Sequence, residues 1–113
     1  MVCMSRFCFT GMVQLSPDDG SRVLAAGIDG VQLDSTRSVC TAGQLWKFVG
    51  NEIVNEKTGE PLEVDGASTW TWEADNDGKI LIQAIRGGNP RKNYLRRKRA
   101  GVVLGNKYSW TKK

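Results

Sequence analysis

Six of the nine side chains in the run Arg91-Lys92-Asn93-Tyr94-Leu95-Arg96-Arg97-Lys98-Arg99 are cationic. Guanidinium forks take sulfate or phosphate oxygens in pairs. Arg91, Lys92, Arg96, Arg97, Lys98 and Arg99 are therefore a candidate polyanion site. The chain segregates its charge. Residues 1–78 hold 12 acidic and 5 basic side chains, whereas residues 79–113 hold 11 basic and no acidic ones, within a net charge of +4. A basic run of this length also reads as a nuclear import signal. Its plainest reading is a solvated strand and loop, or a face paired with the chain's own acidic half.

Other chemistries are limited by what the sequence lacks. There is no His, which removes Ser-His-Asp triads, Cys-His dyads and His metal sites. Cys3, Cys8 and Cys40 are one thiol short of a Cys-only zinc site. No phosphate-cradling Gly-rich loop or dinucleotide fingerprint is present. The segment Asp75-Asn76-Asp77-Gly78 lacks the Glu that would close a calcium loop and reads as a turn. The expectation is a non-enzymatic protein without cofactor or metal. No apolar run approaches 18 residues, so no membrane span is expected. Met1 to Met12 lacks a basic start and a continuous apolar stretch, so no signal peptide is seen. With few cysteines, that favours the cytoplasm over secretion, and a nuclear location fits the basic run.

The elements that must position these residues are short strands between Gly-containing turns. Met12 to Leu15, Arg22 to Ala26, Val31 to Asp34 and Leu45 to Val49 make a first set of four. Glu52 to Asn55, Pro61 to Val64 and Trp70 to Glu73 make a second. Lys79 to Gln83, Asn93 to Arg96, Gly101 to Leu104 and Tyr108 to Thr111 make a third. The closing strands align on Trp46, Trp72 and Trp110, each with Gln44, Trp70 or Tyr108 two positions earlier. The second strand of each set has a central Leu: Leu24, Leu62 and Leu95. Such recurrence is the mark of a repeat architecture.

The Gln44-Leu45-Trp46 triplet, followed by Ile53-x-Asn55-x-x-Thr58-Gly59-x-x-Leu62, resembles the ricin-type (R-type) lectin family. The resemblance is strongest over residues 44–66 and weaker over about 9–113. It implies a single all-β domain over residues 1–113, a β-trefoil with three imperfect repeats at about 9–50, 51–76 and 77–113. Only Ala67-Ser68-Thr69 separates Gly66 from Trp70, so the second repeat is truncated.

The resemblance also implies a glycan partner. In that family a second-strand Asp takes sugar hydroxyls and a nearby ring covers the sugar's apolar face. The Asp position falls near Ala25, Glu63 and Arg96, and only Glu63 keeps a carboxylate. Gln32 remains on the first unit's third strand, with Asp34 where the ring would stand. The candidate ligand-binding residues are thus Glu63, Asp65, Trp70, Tyr94 and Arg96, with Trp70 expected to show its ring at the surface beside an inward Trp72. An anionic polymer, or a protein partner on degenerate sugar sites, are the alternative partners.

Overall fold

A computed structural model describes residues 12–17, 22–27, 30–35, 42–88, 90–99 and 101–112. Alternation of apolar and polar residues, broken by turn residues, gives eleven strands among them. These are β1 (Met12–Val13), β2 (Leu15–Ser16), β3 (Arg22–Gly27), β4 (Gly30–Ser35), β5 (Trp46–Val49), β6 (Glu52–Asn55), β7 (Trp70–Ala74), β8 (Ile80–Ala84), β9 (Tyr94–Lys98), β10 (Gly101–Gly105) and β11 (Ser109–Lys112). The protein is all-β, built from curled antiparallel sheets. No helix is long and apolar enough to cross a membrane among the described residues.

The inner strands follow one another around the core. β1 pairs with β5, β5 with β6, β7 with β8, β8 with β11, and β11 with β2. The link from β6 to β7 is two hydrogen bonds: Trp70 N–H to Asn51 O at 2.7 Å, and Asn51 Nδ2 to Trp70 O at 3.3 Å. Two hairpins extend from this set: β3–β4 forms a sheet of its own, and β9–β10 joins β8 through the Gln83–Tyr94 pairing.

Nine fully buried large residues form the centre, and they fall into three kinds: Leu15, Ile53 and Ile82; Leu24, Leu62 and Leu95; Trp46, Trp70 and Trp110. Each tryptophan donates its indole N–H to the carbonyl of one of the leucines. Trp46 bonds Leu24 at 2.9 Å, Trp70 bonds Leu62 at 3.0 Å, and Trp110 bonds Leu95 at 2.8 Å. A buried indole needs an acceptor, and a buried carbonyl needs a donor. Each bond supplies both across very different lengths of chain, with sequence separations of 22, 8 and 15 residues.

This pattern corrects the tryptophan alignment. The second member is Trp70, not Trp72. Residues two apart on a strand share a face, so both rings of β7 point inward, and Trp70 is 0% exposed. Trp72 lies farther along the strand, half-buried, with its ring edge on Phe48 at 4.5 Å between centroids. Lys112 Nζ sits 5.9 Å from the Phe48 centroid. Phe48, Trp72 and Lys112 each follow a core tryptophan by two positions, so the threefold pattern continues toward the surface. Gln44 ends a 3₁₀ turn (Ala42–Gln44) rather than lying on a strand, and its amide donates to Ser35 O at 2.8 Å.

The second set is short for a visible reason. The expected strand Pro61 to Val64 is reduced to two isolated bridges, Val54 with Pro61 and Val64 with Ala67. Between Val64 and Ala67 the chain reverses through Asp65 at φ 52° and Gly66 at φ 84°. Positive φ at both central residues is the turn geometry that Asp-Gly favours. No third strand intervenes before Trp70. The expected turn at Asp75 to Gly78 is a 3₁₀ turn over Asn76–Gly78.

Replacing Trp70 by Ala should lower stability by ~3–5 kcal/mol, the range for truncating a buried aromatic ring. Trp72→Ala should cost clearly less, because its ring is only half-buried. Urea unfolding of the two variants checks the order, and a Trp70→Ala protein as stable as the parent would remove Trp70 from the core set.

Candidate functional site

The turn after β6 is organised by Asn55. Its Oδ1 accepts the backbone N–H groups of Lys57 and Thr58 at 2.9 and 3.2 Å, and its Nδ2 donates to Gly43 O at 3.1 Å. Thr58 Oγ1 accepts Glu60 N–H at 3.1 Å. These bonds hold a rigid rim facing the first hairpin. Between them lies a cleft of about 230 Å³ lined by Gly27, Gly30, Val31, Thr58, Glu60 and Glu63, with Trp46 at its base. A second depression of about 420 Å³ shares Ala26, Gly27 and Thr58 with it and adds Gln32 and Lys57. The two adjoin at Ala26, Gly27 and Thr58 and are together called the trough, Glu63 lining only the first part and Gln32 only the second.

Gln32 is exposed on β4, opposite Ala25. A Cβ added at Gly27 would stand 2.9 Å from Gln32 Cδ and Oε1 and 3.0 Å from Gly30 O. Glycine at 27 therefore lets the Gln32 amide lie across the hairpin. The groups left to address a ligand are the Glu60 and Glu63 carboxylates, the Gln32 amide, the Thr58 hydroxyl and the Lys57 ammonium. Trp46 is buried and its N–H is engaged by Leu24, so the trough presents no exposed ring.

The five residues expected to bind a ligand are not brought together. Glu63 is exposed and lines the trough. Asp65 is instead tied to the third hairpin: Oδ2 accepts Leu104 N–H at 3.1 Å, and its carbonyl accepts from Arg86 Nη1 at 3.0 Å. Trp70 is in the core and presents no ring to a ligand. Tyr94 is half-buried on β9, opposite Gln83 of β8 and away from the trough. Arg96 lies over the Tyr108 ring, 5.4 Å from its centroid, with Nη1 3.5 Å from Asn106 O. Its aliphatic stem crosses Gly105, where an added Cβ would be 2.8 Å from Arg96 Cδ.

The basic run is likewise divided. Arg91 and Lys92 are exposed in a 3₁₀ turn (Pro90–Lys92) before β9. Lys98 and Arg99 are exposed at the opposite end of that strand, where the chain turns with Arg99 at φ 58°. Arg97 Nε donates to Arg99 O at 2.9 Å, which holds Arg97 to the same tip. Leu95 is buried between the two half-buried neighbours Tyr94 and Arg96.

Sequence reasoning missed Thr58, Glu60 and Lys57 as neighbours of Glu63. Their signal was present in the Thr-Gly turn that follows Asn55, but the facing hairpin is supplied by residues more than 20 positions earlier. No cluster of three or more potential metal ligands occurs among the described residues. Comparison with protein-family models, with characterised proteins and with solved structures returned no match.

Asp65→Ala should accelerate hydrogen exchange of the Leu104 amide, since it removes the carboxylate that accepts from that group. The β9–β10 amides paired within the hairpin should keep their protection. Equal Leu104 exchange in the variant and the parent would show that Asp65 does not fasten the hairpin.

Proposed function

We propose that the protein is a β-trefoil and a non-enzymatic carbohydrate-binding module. The three indole-to-leucine hydrogen bonds support the trefoil reading, since they recur at matching places in each of the three strand sets. The observation that carries the sugar reading is the trough. Its two adjoining parts are lined by Glu63 of the second set and by Gln32 of the first hairpin, two residues that the resemblance to the R-type lectins picks out separately. Carboxylate and amide groups on a fixed rim suit the replacement of water around sugar hydroxyls. The absence of an exposed ring predicts weak binding, because the sugar's apolar face gains little cover there.

Glycan-array binding by the full chain, repeated with Glu63→Gln, tests this. The variant should fold normally and lose most of the signal. Gly27→Ala should weaken binding as well, by displacing the Gln32 amide. Undiminished binding by both variants would place the sugar elsewhere.

A polyanion reading is favoured by one separate observation, the exposed Lys98 and Arg99 at the hairpin tip with half-buried Arg97 beside them. Arg96 adds little to it because it is held at Tyr108. About three phosphate or sulfate contacts would give a log–log salt slope near −3 on a duplex scale. Changing Arg97, Lys98 and Arg99 together to Ser should release the protein from heparin at physiological salt. Co-elution of parent and variant would leave the tip as a solvated turn.

A further inference from the structure

A second group of polar side chains lies on the outward face of β7, β8 and β9, away from the trough. Register puts them there. Thr71 stands opposite Gln83, Gln83 opposite Tyr94, and Glu73 opposite Leu81. Directly opposed residues share a face, as do residues two apart. Thr71, Glu73, Leu81, Gln83 and Tyr94 therefore form one patch, and they line a cleft of about 110 Å³. Strand β8 makes the cleft by changing partners: it pairs with β11 at Ile80 and Leu81, and with β9 at Gln83.

The chemistry of this cleft is specific. Its floor is the buried side chain of Leu81. Gln83 Nε2 is spent on Pro90 O at 2.7 Å, which orients the amide and leaves Oε1 as an acceptor. The Glu73 carboxylate, the Thr71 hydroxyl and the Tyr94 hydroxyl have no partner among the described residues. The cleft thus offers acceptors at Glu73 and Gln83, hydroxyls that both donate and accept at Thr71 and Tyr94, and apolar cover from Leu81 and the Tyr94 ring. An anion would meet the Glu73 carboxylate. An ammonium group would satisfy Glu73 but leave the two hydroxyl donors without acceptors. A ligand with adjacent hydroxyls on an apolar ring satisfies all of them.

We infer that this outer wall is a ligand site for one sugar ring or a similar cyclic polyol. It is independent of the trough, and of its residues only Tyr94 stands among the ligand-binding candidates of the sequence. The volume is well below that of a drug-sized pocket, so it takes a single ring and not a chain, with affinity in the millimolar range. With the trough, it would make one chain bivalent toward a branched glycan.

The test is an amide chemical-shift titration of the full chain with the methyl glycosides of galactose, mannose and N-acetylglucosamine. Shifts at Thr71, Glu73, Leu81 and Gln83 are expected with at least one of them. Glu73→Gln should weaken that response about tenfold or more, the scale of one lost charge-assisted hydrogen bond. Tyr94→Phe should weaken it in the same direction while keeping the ring. Glu63→Gln should leave it unchanged, so failure of the trough reading shows in different amides. No shift with any glycoside up to on the order of 0.1 M, or a Glu73→Gln response equal to the parent's, would overturn the inference. Response of these amides to tetramethylammonium but to no glycoside would overturn it too.

Discussion

The hydrogen bond from a buried indole to a buried leucine carbonyl, made three times, is the constraint on which the rest of this structure depends. Burying a tryptophan without an acceptor costs part of what the ring's burial contributes. Burying a strand carbonyl without a donor costs a similar amount. Pairing the two removes both costs and fixes the distance between an inner strand and the segment that covers it. Trp46, Trp70 and Trp110 thereby set where Leu24, Leu62 and Leu95 stand, and the three aliphatic residues Leu15, Ile53 and Ile82 fill the remaining centre. The intervening chain length is free to vary because the bond constrains only its two ends.

That freedom explains the short second set. From Leu62 to Trp70 the chain has room only for the Asp65-Gly66 reversal and the Val64–Ala67 bridge. What a longer hairpin would supply by strand pairing is supplied here by side chains from one set to the next. The Asp65 carboxylate holds Leu104 N–H, and Arg86 bonds both the Asp65 carbonyl and Asn93 Oδ1. A residue read as a ligand group is in this way a fastening between the second turn and the third hairpin.

The same economy of position divides the charged residues into held and available groups. Arg96 has a half-buried course across Gly105 to the Tyr108 ring, and Tyr108 in turn donates its hydroxyl to Pro17 O at 3.1 Å. This chain of contacts ties the third hairpin to the start of the first strand set. Lys98 and Arg99 lie exposed at the hairpin's far end, with Arg97 half-buried beside them and bonded to Arg99 O. Proximity in sequence therefore overstates how many cations act together.

Local patterns in the sequence determined much of the scaffold. Glu52 to Asn55 is a strand as read, since apolar alternation and the Asn-x-x-Thr-Gly turn are encoded within ten residues. Leu24, Leu62 and Leu95 were legible as the recurring central Leu of each set's second segment, and the structure buries all three. The truncation was legible from the spacing of Gly66 and Trp70. Tertiary structure alone decided between Trp70 and Trp72: both fit the same inward face, and only the position of the Leu62 carbonyl selects the deeper one. It also decided that Asp65 and Arg96 are engaged while Glu63 lines an open cleft against the first hairpin. Those outcomes rest on contacts between residues 8 to about 40 positions apart, which alternation and turn chemistry do not specify.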